Sequence, residues 1–61
     1  MTGKQLYKIA LENGFCLDRI NGSHHIMIKG STVVVIPIHE NKDIPIGTAN
    51  KILKALGVKL K

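Results

Sequence analysis

Residues 15–37, FCLDRINGSHHIMIKGSTVVVIP, decide the fold, because three apolar runs alternate there with two short glycine-containing turns. Asn21-Gly22 is a strong signal for a tight turn between antiparallel strands, and Gly30-Ser31 marks a second turn. The run from Thr32 to Ile36 is dense in β-branched residues, which strands favour, and Pro37 is expected to end its regular pairing. The pattern predicts three antiparallel strands, over residues 15–20, 24–29 and 32–36.

Helical patterns flank this stretch on both sides. Thr2 and Gln5 have the spacing of a capping box, in which each side chain accepts a hydrogen bond from the other residue's backbone. Apolar residues then recur at helical spacing until Gly14, a residue typical of a helix end. A polar loop with a second proline follows the third strand, and a further apolar stripe begins after Gly47: Ala49, Ile52, Leu53 and Leu56. We therefore predict helices over residues 3–13 and from residue 47 to about Leu56.

The order helix, three strands, helix predicts an α+β fold for residues 1–61 as a single domain. Both helices are expected on one face of the antiparallel sheet, because each must bury its apolar stripe against a shared core. The αβββα order is that of the double-stranded-RNA-binding fold, although a fold alone does not establish a function. A chain this short buries only roughly 60% of its unfolded surface, so any chemistry must take place at the surface.

The composition narrows the class of protein. Nine Lys and Arg residues against four acidic ones give a net charge of +5. Small basic domains often bind polyanions because phosphate contacts release counterions, although the same charge can serve solubility alone. No apolar stretch approaches the ~20 residues that span a membrane, and the N-terminus lacks a signal-peptide pattern. The single cysteine, Cys16, fits a reducing compartment and is expected to be a partly buried filler. These features predict a cytoplasmic protein.

Three histidines are the candidates for catalysis: His24, His25 and His39. Histidine is the residue type that most readily exchanges a proton near neutral pH. Cleaving RNA without a metal needs a base for the ribose 2′-hydroxyl, an acid for the departing 5′-oxygen, and positive charge or hydrogen-bond donors at the phosphate. His24 follows the first turn, and loop edges on a rigid scaffold are common places for catalytic groups. Such a histidine is nevertheless more often structural than catalytic.

The other two histidines are weaker candidates. Consecutive strand residues point to opposite faces, so His24, Ile26 and Ile28 share one face and His25 is expected on the open face of the sheet. That arrangement makes a joint acid–base pair of His24 and His25 difficult. His39 is expected to be a solvent-exposed loop residue.

Neither a metal nor a cofactor is predicted. The four acidic residues are scattered singly, and the sequence contains no CxxC, HxxxH or glycine-rich phosphate loop.

Lys51 and Lys54 lie three apart on the second helix, near the free N–H groups expected at Gly47 and Thr48, a combination that suits phosphate. The alternative for these lysines is an ordinary solvated helix face.

The sequence resembles the HicA family of toxin–antitoxin mRNA interferases. The matching segments, in the family's order and spacing, are Asn13-Gly14-Phe15, Gly22-Ser23-His24, the valine-rich third strand, and Ile46-Gly47-Thr48 leading into Ile52-Leu53 and Leu56-Gly57. The resemblance implies a double-stranded-RNA-binding-like fold and ribosome-independent, metal-independent cleavage of mRNA. It also implies that the histidine of the Gly-Ser-His motif, here His24, is essential, and that a HicB-type antitoxin binds the toxin and masks its active surface.

The leading hypothesis is therefore an mRNA endoribonuclease toxin, monomeric when free, with His24 as general base or acid. The residues expected to bind RNA are Ser23, Arg19, Lys29, Thr48, Lys51 and Lys54. The complementary proton-transfer group stays open at this point, because a lysine, a water molecule or His25 would serve. Two alternatives are a non-catalytic RNA-binding module, which predicts binding without cleavage, and a protein-interaction domain, which predicts no RNA affinity at physiological salt.

Overall fold

Two helices and a three-stranded sheet form the fold in a computed structural model, which describes residues 1–40 and 42–58. The elements are α1 (Gly3–Glu12), β1 (Cys16–Asn21), β2 (His24–Lys29), β3 (Thr32–Pro37) and α2 (Ile46–Ala55). The strands are antiparallel and lie in the order β1-β2-β3. The predicted α+β order is confirmed. No helix in the described residues is long and apolar enough to cross a membrane.

The first helix begins and ends where its capping residues indicate. Thr2 Oγ1 accepts a hydrogen bond from Gln5 N at 3.3 Å, and Gln5 Oε1 accepts one from Thr2 N at 2.8 Å. This is the predicted capping box. Gly14 follows the helix with a φ of +88°, a left-handed conformation that glycine adopts without a Cβ penalty. The second helix begins at Ile46, one residue earlier than predicted, after Pro45, which provides no side-chain cap.

One hydrophobic core lies between the helices and a single face of the sheet. Its buried members are Leu6, Ala10, Phe15, Met27, Val34, Ile36, Ile44, Ala49, Ile52, Leu53 and Leu56. The whole predicted stripe of α2 is included. Because α1 and α2 both contribute to this core together with Met27 of β2 and alternate residues of β3, both helices lie on the same face of the sheet, as predicted. The opposite face is not covered by any element in the described part of the chain.

The two faces of β2 are the reverse of what the sequence analysis expected. Met27 is fully buried, and His25 shares its face: the His25 and Tyr7 ring centroids are 5.7 Å apart, in an edge-on arrangement. The prediction that His25 lies on the open face is therefore wrong. His24, Ile26 and Ile28 share the open face instead. The pattern misled because both faces of β2 carry apolar residues, so alternation alone does not tell which face is the core.

Both hairpin turns have Gly-Ser at their centre. Asn21 pairs with His24 across the first turn, so Gly22-Ser23 form its two-residue loop. Gly30-Ser31 close the second turn in the same way. The glycine φ values are +64° and +59°, while neither serine has a positive φ, the pattern of a type II′ turn. The Asn21-Gly22 signal identified the first turn but placed it one residue early, because Asn21 still belongs to β1.

Candidate active site on the open face of the sheet

His24 opens β2 and is flanked by both neighbouring strands on the open face. Its cross-strand partners are Asn21 on β1 and Pro37 on β3. Arg19 pairs with Ile26, which makes it the diagonal neighbour of His24, at a typical separation of about 7–8 Å that a long side chain can bridge. Sheet register therefore gathers an imidazole, a guanidinium and an amide on one exposed surface.

This surface is open to solvent. His24 and Asn21 are exposed, and the Arg19 side chain is 75% exposed. The Arg19 Nε lies 3.8 Å from Asp18 Oδ2, an ion pair between exposed neighbours that contributes little and is easily exchanged for another anion. A phosphate approaching from solvent can thus reach the imidazole and the guanidinium together.

The first turn also contacts the loop that follows β3. Ser23 Oγ lies 3.4 Å from His39 Nε2, and Ser23 O accepts a hydrogen bond from Ile38 N at 2.8 Å. The backbone bond extends the β2–β3 ladder one step beyond the pair of His24 and Pro37. His39 is exposed, as expected from the sequence, but its contact with the motif serine was not expected.

The sequence held a usable signal for two placements that the sequence analysis did not predict, those of Asn21 and His39 beside the first turn. Asn21 lies directly opposite His24 once the loop is recognised as Gly22-Ser23. For His39, counting the alternation two residues past Pro37 gives the face of His24. The expectation that Pro37 ends the strand pairing argued against extending the alternation to His39.

His25 lies on the other side of the sheet from His24. It is half-buried, its ring packs edge-on against Tyr7, and its Nδ1 lies 3.4 Å from Ser23 O. The consecutive histidines therefore do not meet on one surface. As a partner for His24 across a bound phosphate, His25 is badly placed.

Lys29 lies at the far end of β2 from His24. The two residues are five steps apart along the strand, about 17 Å at a rise of ~3.4 Å per residue. Its Nζ donates a hydrogen bond to Asn13 O at 2.9 Å and lies 5.9 Å from the centre of the Phe15 ring. The lysine is thus engaged with the C-terminal end of α1.

The remaining basic candidates lie on α2, in the helix layer. Thr48, Lys51 and Lys54 are exposed. No side chain caps the start of α2, and its first turn contains no acidic residue, so the positive end of the helix is unopposed by charge within the helix. Sheet register does not bring these residues to His24.

Three further features concern the surface around the site. Cys16 is exposed, which corrects the expectation of a partly buried filler: the whole of the edge strand β1 is exposed. Among residues 1–40 and 42–58, no three His, Cys, Asp or Glu side chains lie together as potential metal ligands. His39, Glu40 and Lys42 line an open depression of about 280 Å³.

Comparison with known families adds to this geometry. A family model described as "HicA toxin of bacterial toxin-antitoxin" matches residues 3–58. The chain belongs to the HicA toxin family. The match runs from the first residue of α1 to Val58, so it contains both turns and all three histidines. A search of curated proteins finds no match to this chain. As a HicA toxin, the chain belongs to a toxin–antitoxin system and has an antitoxin as its partner.

Proposed function

We propose that this HicA toxin is a metal-independent, ribosome-independent endoribonuclease that cleaves mRNA at the open face of its sheet and thereby arrests translation and growth. The observation that carries the proposal is the position of His24: exposed, beside the first turn, and diagonal to Arg19. Because its proposed substrate is mRNA, the toxin would act in the cytoplasm.

The chemistry that this surface supports is an internal transesterification of the RNA backbone, in which phosphorus exchanges its 5′-oxygen for the neighbouring 2′-oxygen. The ribose 2′-oxygen attacks the adjacent phosphorus, and the bond from phosphorus to the 5′-oxygen breaks. His24 exchanges a proton with one of these two oxygens. The Arg19 guanidinium lies where it can offset the negative charge that develops on the phosphate, while Asn21 and Ser23 offer side-chain hydrogen-bond donors.

The rest of the basic surface would supply affinity rather than chemistry. Lys51 and Lys54 on α2 are exposed, and Lys29 adds a positive charge at the other end of the sheet. Together with Thr48 at the unopposed start of α2, they would attract the RNA backbone. Because the net charge is +5, we expect the affinity for RNA to fall steeply as salt is added.

The antitoxin partner is proposed to be of the HicB type and to cover the open face. Val33 and Val35 lie on that face and are 60% and 45% exposed. They are cross-strand neighbours of Ile28 and Ile26, so an apolar strip runs beside His24. A partner that buries this strip would also exclude RNA from His24, which links antitoxin binding directly to inhibition.

The test is a cleavage assay on an mRNA transcript with a metal chelator present, comparing the wild type with His24→Ala. We expect chelator-resistant cleavage that falls by about 10²–10⁴-fold in the variant, the usual contribution of a general acid or base. The matched control is Thr32→Ala, since Thr32 is exposed and follows the second Gly-Ser turn as His24 follows the first. It should cleave within about threefold of wild type. Exposed substitutions usually change the free energy of unfolding by less than about 0.5 kcal/mol, so the fold and the site should stay intact.

Three results would contradict the proposal, in whole or in part. Cleavage that the chelator abolishes in the wild type would remove metal independence, and full activity of His24→Ala would remove His24 from the chemistry. Folded wild-type protein that binds the transcript without cutting it would instead establish a non-catalytic RNA-binding module.

A further inference from the structure

We propose that His39 is the second proton-transfer group of the reaction, the partner that His24 requires. This inference rests on the proposed ribonuclease function and names the residue that completes it. The observation behind it is that one residue, Ser23, joins the two histidines: it precedes His24 in the chain, and its Oγ lies 3.4 Å from His39 Nε2.

Strand pairing explains why His39 reaches the first turn. His24 pairs with Pro37, and the next bond of the ladder runs from Ile38 N to Ser23 O. Residues two apart in an extended chain share a face and lie about 6.6–6.8 Å apart. An extended step beyond Pro37 therefore carries His39 toward the face on which His24 lies.

The backbone leading to His39 is held from the helix side. Gly3, at the start of α1, packs so closely against the backbone of Pro37 and Ile38 that no Cβ would fit there. The Ile38 side chain packs against the hydrophobic core. His39 thus projects from an anchored segment, although its own side chain is exposed, which is the arrangement that a positioned but solvent-accessible proton donor needs.

The reaction balances with these two imidazoles and no other reagent. One imidazole, neutral, takes the proton of the 2′-hydroxyl while its oxygen bonds to phosphorus. The other, protonated, gives its proton to the 5′-oxygen while the bond from phosphorus to that oxygen breaks. The products are a 2′,3′-cyclic phosphate and a free 5′-hydroxyl, and the two imidazoles have exchanged protonation states, which solvent restores.

The other groups considered for this role are less well placed. His25 lies on the helix side of the sheet against Tyr7. Lys29 is bound to the end of α1. The charged groups that line the same depression as His39 are Glu40 and Lys42, and among the described residues neither forms a hydrogen bond with Ser23. His39 is the imidazole that directly contacts the Gly-Ser-His motif on its exposed side.

The experiment measures kcat/KM against pH with chelator present, using a fluorogenic mixed-sequence oligoribonucleotide and three proteins: wild type, His39→Gln and His25→Gln. A bell-shaped profile reports an essential acid and an essential base. We expect the wild type and His25→Gln to show both limbs of the bell. His39→Gln should be about 10²–10³-fold slower and should retain one limb only, with an unchanged melting temperature because the side chain is exposed.

Each outcome decides a separate question. If His39→Gln keeps both limbs, His39 is not a proton-transfer group, whether or not its rate falls, and the inference is overturned while the ribonuclease function stands. The inference is also overturned if His39→Gln cleaves within about threefold of the wild-type rate, because a general acid or base typically contributes more than that. If His24→Ala cleaves as fast as wild type, or the wild type does not cleave, the proposed function fails and the inference fails with it.

Discussion

The two hairpin turns are alike in sequence and geometry but differ in what they hold. Both have Gly-Ser at the centre, with glycine φ values of +64° and +59°. The first is flanked by the pair Asn21 and His24, the second by Lys29 and Thr32. Because β2 has six residues, its first and last side chains point to opposite faces of the sheet.

Because of this difference in direction, the residues that flank the two turns have different surroundings. At the first turn the flanking side chains lie on the open face, and Ser23 contacts His39. At the second turn Lys29 lies on the helix side and bonds to the last turn of α1 through Asn13 O. Because β2 has an even number of residues, only one of the two turns has its flanking side chains on the open face, where we propose that RNA reacts. Matched substitutions at the two turns separate these roles.

The largest contrast is expected from the two turn glycines. A Cβ at Gly22 or Gly30 would meet nothing within 4 Å, so Ala costs conformational strain alone, about 1–2 kcal/mol at each site. Gly22→Ala should also displace His24 relative to His39 and slow cleavage by about 10–100-fold, since a misplacement near 1 Å can cost ~10²-fold. Gly30→Ala should remain within about threefold.

Urea unfolding and the chelator assay, both at a temperature where the variants are folded, check this prediction. Equal losses of stability with unequal losses of cleavage are expected. Equal losses of cleavage would show that strain in either turn acts through global stability, and the comparison between the turns would fail.

An intermediate contrast is expected from the two basic residues, Arg19 and Lys29. Substituting either by Ala removes one positive charge, so non-specific attraction to RNA falls equally. Arg19→Ala should also lower kcat, by about tenfold or more, because its guanidinium is placed to offset charge at the phosphate. Lys29→Ala should leave kcat unchanged and lower the free energy of unfolding by up to about 1 kcal/mol, through loss of its bond to Asn13 O.

Single-turnover cleavage at several salt concentrations separates the two effects. If each residue contacts phosphate, each variant should reduce the slope of log affinity against log salt by about one. A lowered kcat for Lys29→Ala, or an unchanged kcat for Arg19→Ala, would reverse the roles assigned to the two ends of the sheet.

The smallest contrast is expected from the two turn serines. Ser23→Ala removes the hydroxyl that contacts His39, and a neutral hydrogen bond is worth about 0.5–1.5 kcal/mol, so cleavage should slow by about threefold to tenfold. Ser31→Ala, at the equivalent position of the second turn, should leave cleavage unchanged. Steady-state kinetics of both variants, with the oligoribonucleotide substrate, measure the difference. Equal rates for the two variants would show that the contact between Ser23 and His39 does not serve the reaction.

Local signals in the sequence predicted most of the fold. The capping box of Thr2 and Gln5, the end of α1 at Gly14 and the two turns of the sheet, the first of which was predicted one residue early, each depend on neighbours within a few residues. The apolar stripe of α2 is likewise a local pattern, and all its members are buried. The motif Gly22-Ser23-His24 identified the candidate site for the same reason: its residues are contiguous.

The parts that the sequence did not predict depend on tertiary contacts. His25 was assigned to the wrong face because Ile26, Met27 and Ile28 make both faces of β2 apolar, and only packing against the helices selects one. The contact of His39 with the first turn was not predicted, because Pro37 was expected to end strand pairing. Consecutive N–H groups of a strand point to opposite edges, so the N–H that proline lacks would face the outer edge of β3, and pairing continues through Ile38 N.

The central claim is that RNA reacts at the first turn and not at the second. Backbone amide chemical shifts, recorded while a mixed-sequence oligoribonucleotide with 2′-O-methyl groups is added, test this directly, because the modified RNA binds without being cleaved. We expect the amides of Arg19, Asn21, Ser23, His24 and His39 to shift on binding, while those of Gly30 and Ser31 remain in place. Shifts at the second turn with none at the first would contradict the claim.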